Sequence, residues 1–181
     1  MAAIVYRETT IMFKAIGFAA ALSLAAGVAC AQAPNDAQIA HIAYTAGNVD
    51  IAAGKQALAK SHDKAVRDFA QEMVRDHTAV NDQALALVKK LGVTPQDNPT
   101  SQSLAKGGAD KLKELGALKG KAFDKAYVAN EVAYHKTVNG ALAGTLIPNA
   151  KNAELKSLLE TGLKLFKEHQ THAEHLAMSV K

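Results

Sequence analysis

Apolar residues recur every three to four positions along most of this chain, which is the spacing of amphipathic helices. Turn-forming residues interrupt the spacing at positions 61–63, 92–103 and 148–149. Between these breaks the pattern predicts four long helices, over about residues 37–61, 63–91, 121–146 and 152–178. Asn35 or Asp36 is placed to cap the first helix, because a side-chain oxygen there can accept from the free N–H groups of the first turn.

The second predicted helix has the clearest pattern, with His77 in the middle of its core-facing positions. Gly92 follows it, where a glycine commonly ends a helix. Residues 93–103 contain two prolines and several turn formers, so we predict a loop there. Residues 104–118 then predict a short helix that is interrupted by glycines.

Four helices with apolar faces of this kind predict an all-α protein, a four-helix bundle. The connection between the first two helices is short, as is that between the last two, so each pair is expected to form an antiparallel hairpin. The longer span between helices two and three has two interpretations. It is either a crossover along the bundle, as in ferritin-like folds, or a cap over one end.

Polar residues interrupt the core-facing side of every predicted helix. They are Asp50, His77, Glu131, His135, His169 and His172. Glu131 and His135 lie four residues apart, so they project from one side of the same helix. An unpaired carboxylate or imidazole is costly to bury, and bundles build metal sites from inward-facing groups of this kind. We therefore interpret the six residues as candidate metal ligands.

The mixture of nitrogen and oxygen ligands suits zinc, copper, iron or manganese. The chain contains no Glu-x-x-His, the spacing that di-iron carboxylate bundles use, which disfavours ferroxidase or oxygenase chemistry. Two alternatives stay open. The candidate ligands form either one site or two smaller clusters, and the histidines are either ligands or hydrogen-bonded core residues of a metal-free protein.

Other classes of function have little support in the sequence. There is no phosphate-binding loop, nucleophile elbow or cysteine nucleophile, so we assign no catalytic residue. His175 follows His172 by three residues, but steps of three rotate around a helix, which places His175 on the surface. The formal charge of +4 is spread over scattered lysines and does not indicate a nucleic-acid partner. Protein partners are unknown, and the pattern is compatible with a monomer or a homodimer.

Residues 1–31 have the features of a secretory signal peptide, with Met12 as the expected start. Their apolar run is too short for a good membrane span, and Ala29-Cys30-Ala31 is an A-x-A-like cleavage site. We therefore expect one exported domain, residues 32–181, in the periplasm. Attachment of a lipid at Cys30 is the alternative.

Four segments are typical of one family: GNVDIAAGKQALAKS, VRDFAQEMVRDHTAVND, FDKAYVANEVAYHKTV and LKLFKEHQTHAEHL. Through them, residues 36–178 resemble the domain-of-unknown-function family 4142, exported bacterial proteins with a ferritin-like helical bundle. The resemblance implies that fold and export, and His77, His135 and His169 match the family pattern.

The family pattern gives the two carboxylates less support. Relatives tend to have Glu where this chain has Asp50, and often Gln where it has Glu131. We therefore expect a metal held by His77, His135 and His169, with the two carboxylates assisting. The expected role is metal handling or envelope stress tolerance rather than catalytic turnover, and a metal-free envelope protein that binds a partner is the alternative.

Overall fold

Five long helices make up the part of the chain that the structure describes, residues 33–180 of a computed structural model. They are α1 (Asp36–Lys60), α2 (Lys64–Lys90), α3 (Pro99–Ala117), α4 (Gly120–Ala141) and α6 (Ala153–Ser179); a π-helical turn (Leu142–Leu146) and the short α5 (Ile147–Asn149) extend α4. No β-strand occurs within residues 33–180. The all-α class is confirmed, with one long helix more than the four predicted.

The helices begin where a side chain caps them. Asn35 accepts from the backbone N–H of Gln38, and the Gln38 side chain accepts from the N–H of Asn35 in return. Asp63 caps α2 and Asn152 caps α6 through the same kind of contact. These side chains satisfy N–H groups that have no partner inside the helix, which accounts for three helix starts within a residue or two of the predicted ones.

The predicted loop is confirmed over residues 93–98, but the helix after it begins five residues earlier than predicted. Helix α3 begins at Pro99 and contains 19 residues. Asn98 caps it by accepting from the N–H groups of Thr100 and Ser101. Pro99 occupies the first helical position, where its missing N–H costs nothing and its fixed φ angle favours the helix. Residues 99–103, whose composition predicted a loop, are thus the first residues of α3.

Helix α3 lies along α1 and runs in the same direction. Gln56 Nε2 donates to the carbonyl of Leu112 at 2.9 Å, and one turn later Lys60 Nζ donates to the carbonyl of Gly116 at 2.7 Å. Helix α3 therefore carries the chain back along the length of α1. The span between the second and third predicted helices is therefore a crossover along the bundle and not a cap over one end.

The crossover makes α2 and α4 run in the same direction. Helix α1 is antiparallel to α2, since Asn81 donates to the carbonyl of Tyr44 while Gly54 lies against Ala70 and Val74. Helix α1 is also antiparallel to α4, since the hydroxyl of Tyr134 donates to the carbonyl of Ala46 and Glu131 lies beside Asp50. Helices α1, α2 and α4 consequently face one another over the same stretch.

The helix predicted to end at Leu146 continues to Asn149. Leu142–Leu146 adopt a π-helical turn, and Pro148 lies in the first turn of α5. A proline inside an α-helix clashes with the carbonyl four residues before it. The wider π turn relieves this clash. The helical segment therefore continues through Pro148, a residue at which the sequence pattern predicts a helix end.

The core has two apolar halves separated by a polar layer. One half lies around Phe69, Met73 and Tyr127, and the other around Ile39, Leu142 and Leu159. Along α1, α2, α4 and α6 the buried sequence passes from one half to the other through a polar residue. The packing of helices on both sides thus fixes the level of that layer.

The predicted signal peptide, residues 1–31 with Met12 and Cys30, lies outside the described residues. Within residues 33–180, no helix combines the length and the hydropathy that crossing a membrane requires.

Two adjacent glycines of α3 give a matched test of its packing on α1. A Cβ at Gly108 would lie 2.7 Å from Val49 Cγ2, whereas a Cβ at Gly107 has no neighbour within 4 Å. We expect Gly107→Ala to raise the free energy of unfolding by about 0.5–1 kcal/mol, because alanine favours a helix. Gly108→Ala should lower it by about 1–2 kcal/mol through overpacking. Urea unfolding of both variants measures this, and equal effects would contradict the close packing.

Candidate metal centre

The polar layer brings together five of the six predicted ligand residues. Each comes from a helix of the bundle: Asp50 from α1, His77 from α2, Glu131 and His135 from α4, and His169 from α6. Each of the five residues is at most 3% exposed. The structure therefore places five ligand-type side chains in the interior.

The three imidazoles form a nearly equilateral triangle. The distance between ring centroids is 5.6 Å for His77 and His135, 5.4 Å for His77 and His169, and 5.5 Å for His135 and His169. A ligand atom from each ring lies within 4.8 Å of the other two. Three nitrogens at this separation could hold a metal ion.

A second group overlaps with the first. Ligand atoms of Asp50, Glu131 and His135 also lie within 4.8 Å of one another. His135 Nε2 is 3.6 Å from Asp50 Oδ2, and His77 Nε2 approaches the same oxygen to 2.5 Å. Because His135 belongs to both groups, the five residues form one connected cluster instead of two separate ones.

Hydrogen bonds orient two of the three imidazoles. His135 Nδ1 donates to the backbone carbonyl of Glu131 at 3.0 Å, so the lone pair of this neutral ring lies on Nε2. His169 Nε2 donates to Asp76 Oδ2 at 3.1 Å, which leaves Nδ1 with the lone pair. Metal-binding histidines are usually held in this way, with the second nitrogen bonded to a carbonyl or carboxylate.

Asp76 is a functional candidate that the sequence analysis missed. Its carboxylate accepts from Arg75 Nε at 2.7 Å, and the Arg75 guanidinium is the main reason why the pKa of Asp76 is lowered. Asp76 is next to His77 in sequence but contacts His169, on another helix. The sequence does contain one indication of a role for Asp76: it follows Glu72 by four residues, so both carboxylates project from the same side of α2.

The ring of Phe166 packs against the ring of His77. The phenyl ring of Phe166 stacks on the imidazole with centroids 4.4 Å apart and an angle of 10° between the planes. Phe166 is three residues before His169 on α6, so one turn of helix supplies both the ring that packs on His77 and a ligand beside it. The cluster is therefore held by packing as well as by hydrogen bonds.

Several buried atoms of the cluster have no hydrogen-bond partner. They are Asp50 Oδ1, both carboxylate oxygens of Glu131, His77 Nδ1, His135 Nε2 and His169 Nδ1, whereas Asp50 Oδ2 and His77 Nε2 lie 2.5 Å from each other. Buried polar atoms are nearly always paired, so a concentration of unpaired ones needs an explanation. All of them are atoms that bind transition metals, so the residues present fit a metal ion.

Burial sets the protonation of these groups. It lowers the pKa of His135 to about 4 and also lowers the pKa of His169, so both rings are neutral at pH 7. Burial by itself raises the pKa of Asp50, but the His77 and His135 imidazoles outweigh it and bring that pKa to about 2. Burial and the neighbouring Asp50 carboxylate raise the pKa of Glu131 well above its ordinary value.

The sixth predicted ligand, His172, lies outside this cluster. Its side chain is 48% exposed, and Nδ1 lies 2.8 Å from Glu72 Oε2. The buried positions of α6 at this level are His169, Ala173 and Leu176, so His172 faces the side of the helix towards α2. His175 is exposed, as predicted.

The fold and the cluster define a class of all-helical protein with ligand-type residues in its interior. The chain belongs to the family described as Domain of unknown function (DUF4142), whose model matches residues 21–176. Comparison with curated proteins and with solved structures found no match for this chain.

The charge of Glu131 gives a test in the metal-free protein. Its folded-state pKa lies above the unfolded value of 4.5, so its contribution to stability is complete below pH 4.5 and is lost as the pH rises. Glu131→Gln removes this loss. The free energy of unfolding of the variant, minus that of the wild type, should grow with pH by up to about 1.4 kcal/mol per unit. Urea unfolding at pH 5, 6 and 7 checks this, and a constant difference would refute it.

Proposed function

We propose that this chain is an exported ferritin-like bundle protein that binds one transition-metal ion in its polar layer. His77, His135 and His169 supply three nitrogen ligands, and Asp50 supplies an oxygen. The observation that carries the proposal is the concentration of unpaired, buried ligand atoms in the core, with two of the rings oriented by their other nitrogen.

The arrangement favours a single ion. His135 Nδ1 donates a hydrogen bond to a backbone carbonyl, so Nε2 carries the only lone pair of this ring that can bind an ion. His135 belongs to both groups of ligand-type residues. A nitrogen lone pair binds one ion at a time. The two groups are therefore alternative positions for the same ion. In one the ion lies among the three histidines and Asp50, and in the other it lies among His135, Asp50 and Glu131.

The separations in the cluster suit tetrahedral coordination after a small adjustment. Ligand atoms about 2.0–2.1 Å from a zinc ion lie about 3.3 Å from one another. His135 Nε2 and Asp50 Oδ2 are already close to this, at 3.6 Å, whereas His77 Nε2 and Asp50 Oδ2 are closer, at 2.5 Å. An ion that inserts between His77 and Asp50 would part them and relieve the contact between two buried polar groups.

Family membership and the crossover support the ferritin-like assignment. Bundles of that type have one long crossover connection, and here α3 forms it. Export to the periplasm rests on the signal-peptide features of residues 1–31. Zinc, copper, iron and manganese all accept this ligand set.

Metal handling or tolerance of envelope stress fits the site better than catalysis. The five residues are almost fully buried, so a substrate has no space beside the ion. The ligand set also lacks the paired Glu-x-x-His of the di-iron oxidases. A buried ion without an open coordination position is stored or stabilises the fold, and the role we propose is accordingly binding.

A metal-free envelope protein that binds a partner is the second candidate. The hydrogen bonds of His135 and His169 favour it, since they satisfy one nitrogen of each ring without an ion. Under this candidate the buried histidines are structural, and replacing them with apolar residues stabilises the fold.

Elemental analysis of residues 32–181, purified from the periplasm without a His-tag, distinguishes the two. We expect about one ion per chain, and its loss in the His77→Ala/His135→Ala variant. His62→Ala/His175→Ala removes two exposed histidines and should keep the ion.

If the double variant folds poorly, thermal unfolding of metal-free protein with and without added Zn²⁺ is a second test of metal binding. Added Zn²⁺ at about 100 times its dissociation constant should stabilise the wild type and the control by about 2.7 kcal/mol. His135→Gln, which keeps the volume but loses the ligand nitrogen, should not respond at this Zn²⁺ concentration, which is set by the core site. A folded wild type that neither contains nor takes up metal would establish the metal-free candidate.

A further inference from the structure

A third group of ligand-type residues lies between the core cluster and the surface. Ligand atoms of Glu72, Asp76 and His169 are within 4.8 Å of one another. The side chain of Glu72 is 30% exposed and that of Asp76 is 15% exposed. The exposed His172 lies against Glu72, so the group combines two carboxylates with two imidazoles.

His169 joins this outer group to the core. Its Nε2 lies 3.1 Å from Asp76, whereas its Nδ1 is buried without a partner and is the nitrogen left for an ion in the core. The ring therefore has one nitrogen for each group. A neutral imidazole has one lone pair, so His169 can bind an ion in the outer group or in the core, but not in both at once.

An ion needs ligands on its way to the core. The core residues are at most 3% exposed, and a bare divalent cation is very costly to place among apolar side chains. Glu72 and Asp76 are partly exposed carboxylates next to a core ligand, so they can take an ion from water. An ion bound to His169 Nε2 leaves the ring proton on Nδ1. When the ion leaves Nε2 for the core ligands, the proton returns to Nε2, where Asp76 accepts the hydrogen bond, and Nδ1 becomes free to bind the ion.

We propose that Glu72, Asp76 and His169 Nε2, assisted by His172, form an outer site that captures a divalent transition-metal ion and passes it to the core through His169. The proposal rests on the proposed function, since it supplies the core site with its ion. The outer site is emptied when the core is filled, because His169 then binds through Nδ1.

Arg75 competes with the ion at the outer site. Its guanidinium holds both oxygens of Asp76, at 2.7 Å and 3.0 Å. Its own side chain is 68% exposed, so it can move into solvent when an ion takes its place. The ion and the guanidinium carry like charge and bind the same carboxylate, so they exclude each other.

Uptake of Co²⁺ by metal-free protein, followed by stopped-flow absorbance, tests the proposal. Glu72→Gln/His172→Gln should load about tenfold more slowly than the wild type, because it lacks the charge that attracts the cation, and should reach the same final stoichiometry. Glu160→Gln/His175→Gln is the matched control, since it removes the same two residue types at exposed positions of α6 and should load at the wild-type rate.

Equilibrium binding of Co²⁺ to the core-disabled variant His77→Ala/His135→Ala gives a second readout. This variant should still bind Co²⁺ more weakly at the outer site, and adding Glu72→Gln to it should abolish that binding. If the core-disabled variant does not fold, the loading rates alone decide. Equal loading rates for Glu72→Gln/His172→Gln and its control Glu160→Gln/His175→Gln would overturn the outer site and leave the proposed function intact. A wild type that takes up no Co²⁺ would overturn both.

Discussion

Burial of ligand-type side chains in one layer is the constraint on which the rest of this structure depends. Two carboxylates and three imidazoles lie between two apolar halves, where water cannot solvate them. Each costs free energy to place there unless it is paired. One nitrogen of His135 and one of His169 are hydrogen-bonded within the protein, and His77 Nε2 lies against Asp50 Oδ2, but the other nitrogens and oxygens of the layer have no hydrogen-bond partner. Desolvation lowers the pKa of His135 and of His169, which keeps these two rings neutral and leaves one lone pair on each for an ion.

The scaffold positions this layer through its connections. Helix α3 returns the chain along α1, so that α2 and α4 run in the same direction and both meet α1 at the level of Asp50. Close approach at Gly108 and Gly54 lets the helices pack without bulky side chains between them. Packing of the two apolar halves then holds the five ligand-type side chains at one level of the bundle. A metal centre in this bundle would thus use a geometry that the apolar core stabilises.

The polar layer is also graded from the interior to the surface. Asp50, Glu131 and His135 are fully buried, His169 is buried but bonded to Asp76, and Glu72 and His172 are in contact with water. Helices α2 and α6 supply this gradient because they are antiparallel neighbours, with Asp76 against His169 and Glu72 against His172. The same packing that excludes water from the core therefore gives an ion a coordinated route into it.

The sequence by itself determined the helical class, the starts of α1, α2 and α6, and the five ligand-type residues that the core buries, because helix period and capping are local properties. It placed the start of α3 five residues too late, because Asn98 and Pro99 resemble a loop. It also ended the third predicted helix at Leu146, because Pro148 resembles a stop, whereas the helical segment continues to Asn149. It also grouped His172 with the core ligands and missed Asp76. Only the tertiary structure decided these points, because a spacing of three or four residues places side chains on one helix face, whereas contacts between helices depend on direction, height and rotation.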